Sequence, residues 1–179
     1  DPGVLKTGAQ SFYRVRQGSG GGQAQCSTAS VPETWANTPF ANQTGTFTAQ
    51  FEATPSADRM DTVMALSSGP QTAFSSFACL TRFNLDGNID ARNGGGYEAT
   101  AVIPYSANVK YTFRLVVNIP AHTYSIYVTP TGGVEQTVGT DFAFRTDQST
   151  VANLDHWGVV MTASGAAGSN TVCNFKVVP

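Results

Sequence analysis

The stretch Ala91-Arg-Asn-Gly-Gly-Gly-Tyr97 joins a guanidinium, a carboxamide and a phenol through three consecutive glycines. Glycine lets a ligand approach the backbone closely. Arg and Asn make the paired hydrogen bonds that hold sugar hydroxyls and carboxylates, and an aromatic ring offers a platform for a pyranose face. Arg82 and Arg114, with Gln50 and Glu52, fall at polar positions of β-like runs and are expected to extend such a surface. The rings available to it are Trp35, Tyr97, Tyr105, Tyr127 and Trp157. The candidate ligand-binding set is therefore Arg82, Arg92, Asn93, Tyr97 and Arg114, on the concave face of a sheet. The same arginines have a plainer use as cross-strand partners of Glu52, Asp61, Asp90 and Glu98, each pair contributing less than ~1 kcal/mol.

A second chemistry is hard-cation binding. Asp86, Asn88 and Asp90 alternate around an Asp-Gly turn, with Asn93 shortly after, and oxygen donors on a loop suit a structural calcium ion. Turn chemistry alone also accounts for them, because Asp and Asn favour tight turns. The closing Glu of an EF-hand is absent from the sequence. His122 and His156 are the only histidines, and no compact His/Cys spacing speaks for zinc. Neither accompanies a Gly-x-Ser-x-Gly elbow, and Gly18-Ser-Gly-Gly-Gly22 lacks the Gly-Lys-Ser/Thr ending of a phosphate loop. A polysaccharide lyase would use Tyr97 or His122 to take a C5 proton while Arg82, Arg92 and Asn93 neutralise the uronate carboxylate. A glycoside hydrolase needs two carboxyl groups facing the scissile bond, and no strand here alternates acids in that way.

The 179 residues carry ten basic and twelve acidic side chains without a basic block, which argues against nucleic acid or an anionic membrane as main partner. No apolar run is long enough to span a bilayer. Hydrophobic residues at 41% suffice for a core, so the low charged share of 12% does not signal disorder. Thr, Ser, Gly, Asn, Gln and Ala stand where cytosolic proteins commonly place Lys and Glu, which points to secretion. The start at Asp1-Pro2-Gly3 without Met reads as a mature or excised fragment. Of three cysteines, Cys79 lies in the apolar run Phe77–Thr81 and is expected to be buried. Cys26 and Cys173 would pair if the terminal strands are neighbours, closing a loop worth roughly 4–5 kcal/mol. The alternative is three free thiols in a reducing compartment. Asn42-Gln-Thr44 is a glycan acceptor in a eukaryotic host.

These side chains must be positioned by strands. Gly45–Ala53 alternates with Phe47, Ala49 and Phe51 on one face, and Tyr111, Phe113, Leu115, Val117 and Ile119 do the same in a later run. Pro120-Ala121 returns the chain through His122–Thr129, and Leu85-Asp-Gly-Asn88 is a hairpin turn. Further strands are expected at Thr62–Leu66, Phe74–Phe83, Ile89–Arg92, Tyr97–Ile103, Val134–Val138, Phe142–Arg145, Leu154–Ala163 and Asn170–Val178. The first forty residues are poorly patterned. Residues 1–22 read as an edge strand or a linker, and 23–179 as a single domain. Ten to twelve short strands, no amphipathic helix and no fixed repeat predict an all-β fold: a two-sheet antiparallel β-sandwich of jelly-roll type.

From Thr38 onward the sequence resembles the concanavalin-A-like lectin/glucanase superfamily, in particular laminin-G-like domains attached to secreted bacterial proteins. The resemblance is carried by Gly45–Pro55, by Ile89-Asp-Ala-Arg-Asn-Gly-Gly-Gly-Tyr97, and by Tyr111–Ile119 with His122–Val128. It implies the sandwich and weakly implies an activity, because the fold hosts lectins, glycanases, lyases and adhesive modules. The Glu-x-Asp-x-x-Glu strand of the glucanases is missing, as are the Gln-x-His and Tyr-x-Lys-Ala-Gly strands of alginate-lyase relatives. The expectation is a non-catalytic module that binds polysaccharide, with a lyase or a protein-binding laminin-G-like domain as alternatives.

Overall fold

A computed structural model describes residues 25–178, together with the backbone of Leu5–Lys6 and Phe12–Arg14. The strands are β1 (Leu5–Lys6), β2 (Phe12–Arg14), β3 (Gln25–Ala29), β4 (Ala36–Gln43), β5 (Thr46–Pro55), β6 (Thr62–Ser67) and β7 (Phe77–Phe83). They continue with β8 (Ile89–Asn93), β9 (Gly96–Glu98), β10 (Tyr111–Asn118), β11 (Thr123–Pro130), β12 (Gln136–Ala143), β13 (Leu154–Met161) and β14 (Asn170–Val178). Two single 3-10 turns, Phe74–Ser76 and Thr146–Gln148, are the helical elements among the described residues. Eight strands form one sheet in the order β1-β2-β3-β14-β5-β10-β11-β12, and six form the other in the order β4-β13-β6-β7-β8-β9. The expected antiparallel sandwich is what the chain adopts.

The inter-sheet core follows from period-two alternation. Phe47, Ala49, Phe51 and Ala53 of β5 face inward beside Phe113, Leu115 and Val117 of β10, and all are buried. Their register sets Phe51 opposite Phe113, and the rings stack at 5.1 Å. The β10–β11 hairpin turns at Ile119–His122, where His122 takes a left-handed φ of 54°. At the Asp86-Gly87 turn, Gly87 has φ 82° and Phe83 pairs with Ile89, as the sequence predicts.

The terminal strands are neighbours. β14 lies between β3 and β5, with Cys26 and Cys173 directly opposite one another and joined in a disulfide across 147 residues. Cys79 is a buried free thiol whose desolvation pushes its pKa well up. Of residues 1–22, Leu5–Lys6 and Phe12–Arg14 form β1 and β2, with β1 at the edge of the eight-stranded sheet and β2 between β1 and β3, whereas Gly18–Gly22 lies outside the described residues.

Three segments depart from expectation. Val134–Val138 and Phe142–Arg145 are largely one strand, β12, whose register shifts against β11. A Cβ on Gly139 would meet the Phe142 ring at 2.3 Å, so the ring folds over a residue with no side chain. β4 falls in the region of weak pattern, because it is a sheet edge carrying Pro39. The chain after Glu98 leaves the sheet, although a strand through Ile103 was expected.

Candidate functional site

The six-stranded sheet is apolar on both faces. Met64 and Leu66 of β6 join the inter-sheet core, while Val63 and Ala65 point the other way and cluster with Phe77, Leu80, Val160 and Trp35. Trp35 lies over this outer cluster, stacked on Phe77 at 4.0 Å and edge-on to Phe74 at 5.4 Å. Gly158 of β13 makes this possible, since a Cβ there would stand 3.0 Å from the Trp35 ring and 3.2 Å from Phe77. The cover is partial. Beyond it a groove of about 310 Å³ opens, lined by Val63 and Phe74 on its apolar side and by Asp61, Arg82, Tyr97, Arg145, Thr162, Ser164 and Glu33 elsewhere.

β7, β8 and β9 position the polar side of the groove. Arg82 stands opposite Asp90, and Arg92 opposite Tyr97. Asp90 is 7% exposed and accepts from Arg82 twice, at 2.7 Å from Nε and 2.9 Å from Nη2, and from Asn84 Nδ2 at 3.0 Å. The Arg82 guanidinium held in this way lies 3.8 Å over the Tyr97 ring, and that of Arg92 is 5.4 Å from the same centroid. Burial pushes the Tyr97 phenol up to about 12, against the opposing pull of Arg82, Arg145 and Arg92. The phenol is thus a neutral hydrogen-bonding group at physiological pH.

The structure brings Arg82, Arg92 and Tyr97 together but uses them differently from the expected gap between an Arg and a Tyr. Guanidinium covers the Tyr97 face, so the ring open to the groove is Phe74. Asn93 braces the hairpin, donating to Glu98 and accepting from the Ala143 N–H at 2.8 Å. The glycines serve the turn: Gly94 has φ 59° and bonds through its N–H to Ala143. Arg92 donates Nε to the Gly94 carbonyl and has no acidic partner among the described residues. The plainer pairing of arginines with acids holds for Arg82, which has Asp90 and, at 4.0 Å, Asp61.

Arg114 is not part of this site. It belongs to β10, on the outer face of the eight-stranded sheet, where Glu135 holds it at 3.0 and 2.8 Å and Tyr127 lies beneath it at 4.2 Å. Nor do Asp86, Asn88 and Asp90 fit a cation together, because a cation at Asp90 would have to displace Arg82 from both carboxylate oxygens. Asn84, which the sequence reading passed over, organises that turn by accepting from the N–H groups of Asp86 and Asn88. Among the described residues no three His, Cys, Asp or Glu side chains gather as a metal site. His122 does not line the groove; it is bonded to the Val151 carbonyl and edge-on to Phe144. His156 pairs with Asp155 on β13.

Phe74, Arg145 and Ser164 were missed. Phe74 read as the start of a strand, and the other two lie on loops whose approach to β7 no local pattern encodes.

Lectins share this architecture. Lectin I-B4 of Griffonia simplicifolia superposes with a TM-score of 0.52 at 8% identity, over 98% of this chain and 91% of that one. The fold is a concanavalin-A-like jelly roll. A sialidase superposes with a TM-score of 0.58 at 12% identity, over 97% of this chain and 16% of that one. A xylan beta-1,4-xylosidase of Bacillus halodurans gives 0.56 at 11%, over 87% and 33%. At these identities the likeness is one of fold. In sequence the chain is 30% identical over 117 residues, 64% of its length, to a gellan lyase of a Bacillus species, and spans only 5% of that protein. No family model matches it.

Proposed function

We propose that this chain is a non-catalytic carbohydrate-binding module of a secreted protein, holding polysaccharide in the groove on the outer face of the six-stranded sheet. The observation that carries the reading is the composition of that groove. Phe74 offers an apolar platform, and Arg82, Arg145, Tyr97, Thr162 and Ser164 offer hydrogen-bonding groups around it. Apolar contact with a few placed polar groups is how sugars are held. The match to a small part of a gellan lyase supports an accessory module more than a whole enzyme. The disulfide supports an oxidising compartment.

The gellan lyase match also favours a second reading, in which the chain itself performs elimination. A lyase base must be deprotonated near the working pH, and burial keeps Tyr97 protonated, while His122 does not line the groove. Binding without turnover is the better account. Titration calorimetry against gellan and xylan, with parallel measurement of unsaturated and reducing ends, tests it. Saturable binding without products is expected, and Phe74→Ala should weaken it about tenfold through loss of ring contact. Accumulating products would refute the non-catalytic reading, and absence of binding to either polymer would refute the carbohydrate reading.

A further inference from the structure

Tyr97 lines two depressions. On one side is the groove just described, and on the other is a second of about 380 Å³, between the Asn84–Asp90 turn and residues Glu98–Val102. The second exists because the chain leaves the sheet after Glu98. Thr100 bonds through its N–H and hydroxyl to β12, Ile89 N–H to the Ile103 carbonyl, and Tyr105 N–H to Gly87, so residues 99–103 stand as a fixed wall. That wall faces solvent with Ala99, Thr100, Ala101 and Val102, the last 80% exposed. Its polar side is furnished by Asn84, Asn88, Glu98 and Thr100, so like the first groove it sets hydroxyl and carboxylate groups beside apolar ones. Asp90 lines this second depression and Arg82 the first, so their ion pair lies between the two beside Tyr97.

We infer that the two depressions form one binding cleft across β6, β7, β8 and β9, and that its ligand is an internal stretch of polysaccharide several sugar units long. The inference rests on the carbohydrate reading above and specifies its ligand. The first groove alone, from Thr162 just past β13 to Tyr97 on β9, crosses four strand spacings of ~4.8 Å, roughly 19 Å, and the second depression extends beyond Tyr97. A single sugar fills a fraction of that length. Neither depression is an enclosed cavity, so a chain need not present an end to enter.

The experiment is titration calorimetry with oligosaccharides of graded length from gellan and from xylan, on the wild-type chain and on Asn88→Ala and Ala99→Glu. Asn88 lines the far depression and its backbone N–H, which the substitution keeps, makes the turn bond. Ala99 is exposed, and Glu there sets a bulky charge in the far half. Affinity is expected to rise with length until the cleft is filled. Ala99→Glu should weaken the longest ligand about tenfold and Asn88→Ala about threefold, with the shortest binding ligand unaffected by either. Affinity independent of length, or a longest ligand indifferent to Ala99→Glu, would overturn the two-part cleft while leaving the carbohydrate reading intact. Wild-type protein that binds no oligosaccharide of either series would overturn both.

Discussion

The Arg82–Asp90 pair is the sharpest point at which to test how the groove is held. Replacing Arg82 with leucine keeps much of the aliphatic volume and removes two charge-assisted hydrogen bonds to a carboxylate that is only 7% exposed. It also removes the cation over Tyr97. Breaking one partner of a fully buried pair costs about 3–5 kcal/mol because the other charge is stranded. The Arg82 side chain here is 25% exposed, and Asn84 remains on Asp90. The expected loss is therefore about 3 kcal/mol, seen as a fall in Tm of roughly 6–12 °C for a chain of this size. Adding Asp90→Leu removes the stranded carboxylate and should restore about half of that loss, a coupling of ~2 kcal/mol in a double-mutant cycle by urea unfolding. Should Arg82→Leu fall within ~0.5 kcal/mol of wild type, or the two substitutions prove additive, the pair is not what organises this end of the sheet.

Three other outcomes are expected. Reducing Cys26–Cys173 frees a loop with a sequence separation of 147, so the urea-derived stability should drop by roughly 4–5 kcal/mol, while the native oxidised chain shows no reactive thiol because Cys79 is buried. A disulfide whose reduction leaves the unfolding midpoint unchanged would contradict this. The hydrogen bonds to Glu52 from Lys110 and Asn174, and to Glu135 from Arg114, hold both carboxyls below their ordinary value of 4.5. Their folded-state pKa values are depressed, so their stabilisation is present above 4.5 and is lost as pH falls through the lower folded values. Glu135 is exposed and Glu52 half-buried at the surface beside an exposed Lys110, so the effect should be small and shrink with salt, and Lys110→Ala should flatten the acid limb of a urea-midpoint profile. Gly165→Ala would bring a Cβ within 2.6 Å of the Asp61 backbone N and 2.7 Å of the Arg59 carbonyl, so the loop beside the groove must shift at a cost of about 2 kcal/mol. A variant with wild-type Tm would show that loop to be more yielding than its packing implies.

Side-chain parity was legible in the sequence where one face is buried and the other wet. β5 and β10 alternate cleanly because they are central strands with polar outer faces, and a one-residue slip would carry every ring to solvent. β6 is different, since Thr62–Ser67 is buried throughout and shows no alternation. Its second buried face comes from Trp35, which lies in the segment without pattern, and from the missing side chain of Gly158. The departure of the chain after Glu98 had no local signal either. Its wall is fixed by bonds to β12 and to the Gly87 turn, not by the alternation of Tyr97–Ile103.

The arginines show the same division between what is local and what is not. Arg82, Arg92 and Arg114 all sit at outward positions, as alternation requires, and Arg82 and Arg114 each have a chelating acid and a tyrosine under the guanidinium. Reading them as one surface assumed one sheet. β7 pairs with β6 and β8, whereas β10 pairs with β5 and β11, so equal parity puts Arg82 and Arg114 on opposite outsides of the sandwich. The two constellations are chemically alike, yet the loop carrying Phe74, the Thr146–Gln148 turn that follows Arg145 and the wall at residues 99–103 all lie around β6–β9. An Arg–acid–Tyr set on a bare sheet is a cross-strand ion pair. Loops that rise beside it on two sides are what set the constellation around Arg82 in a groove.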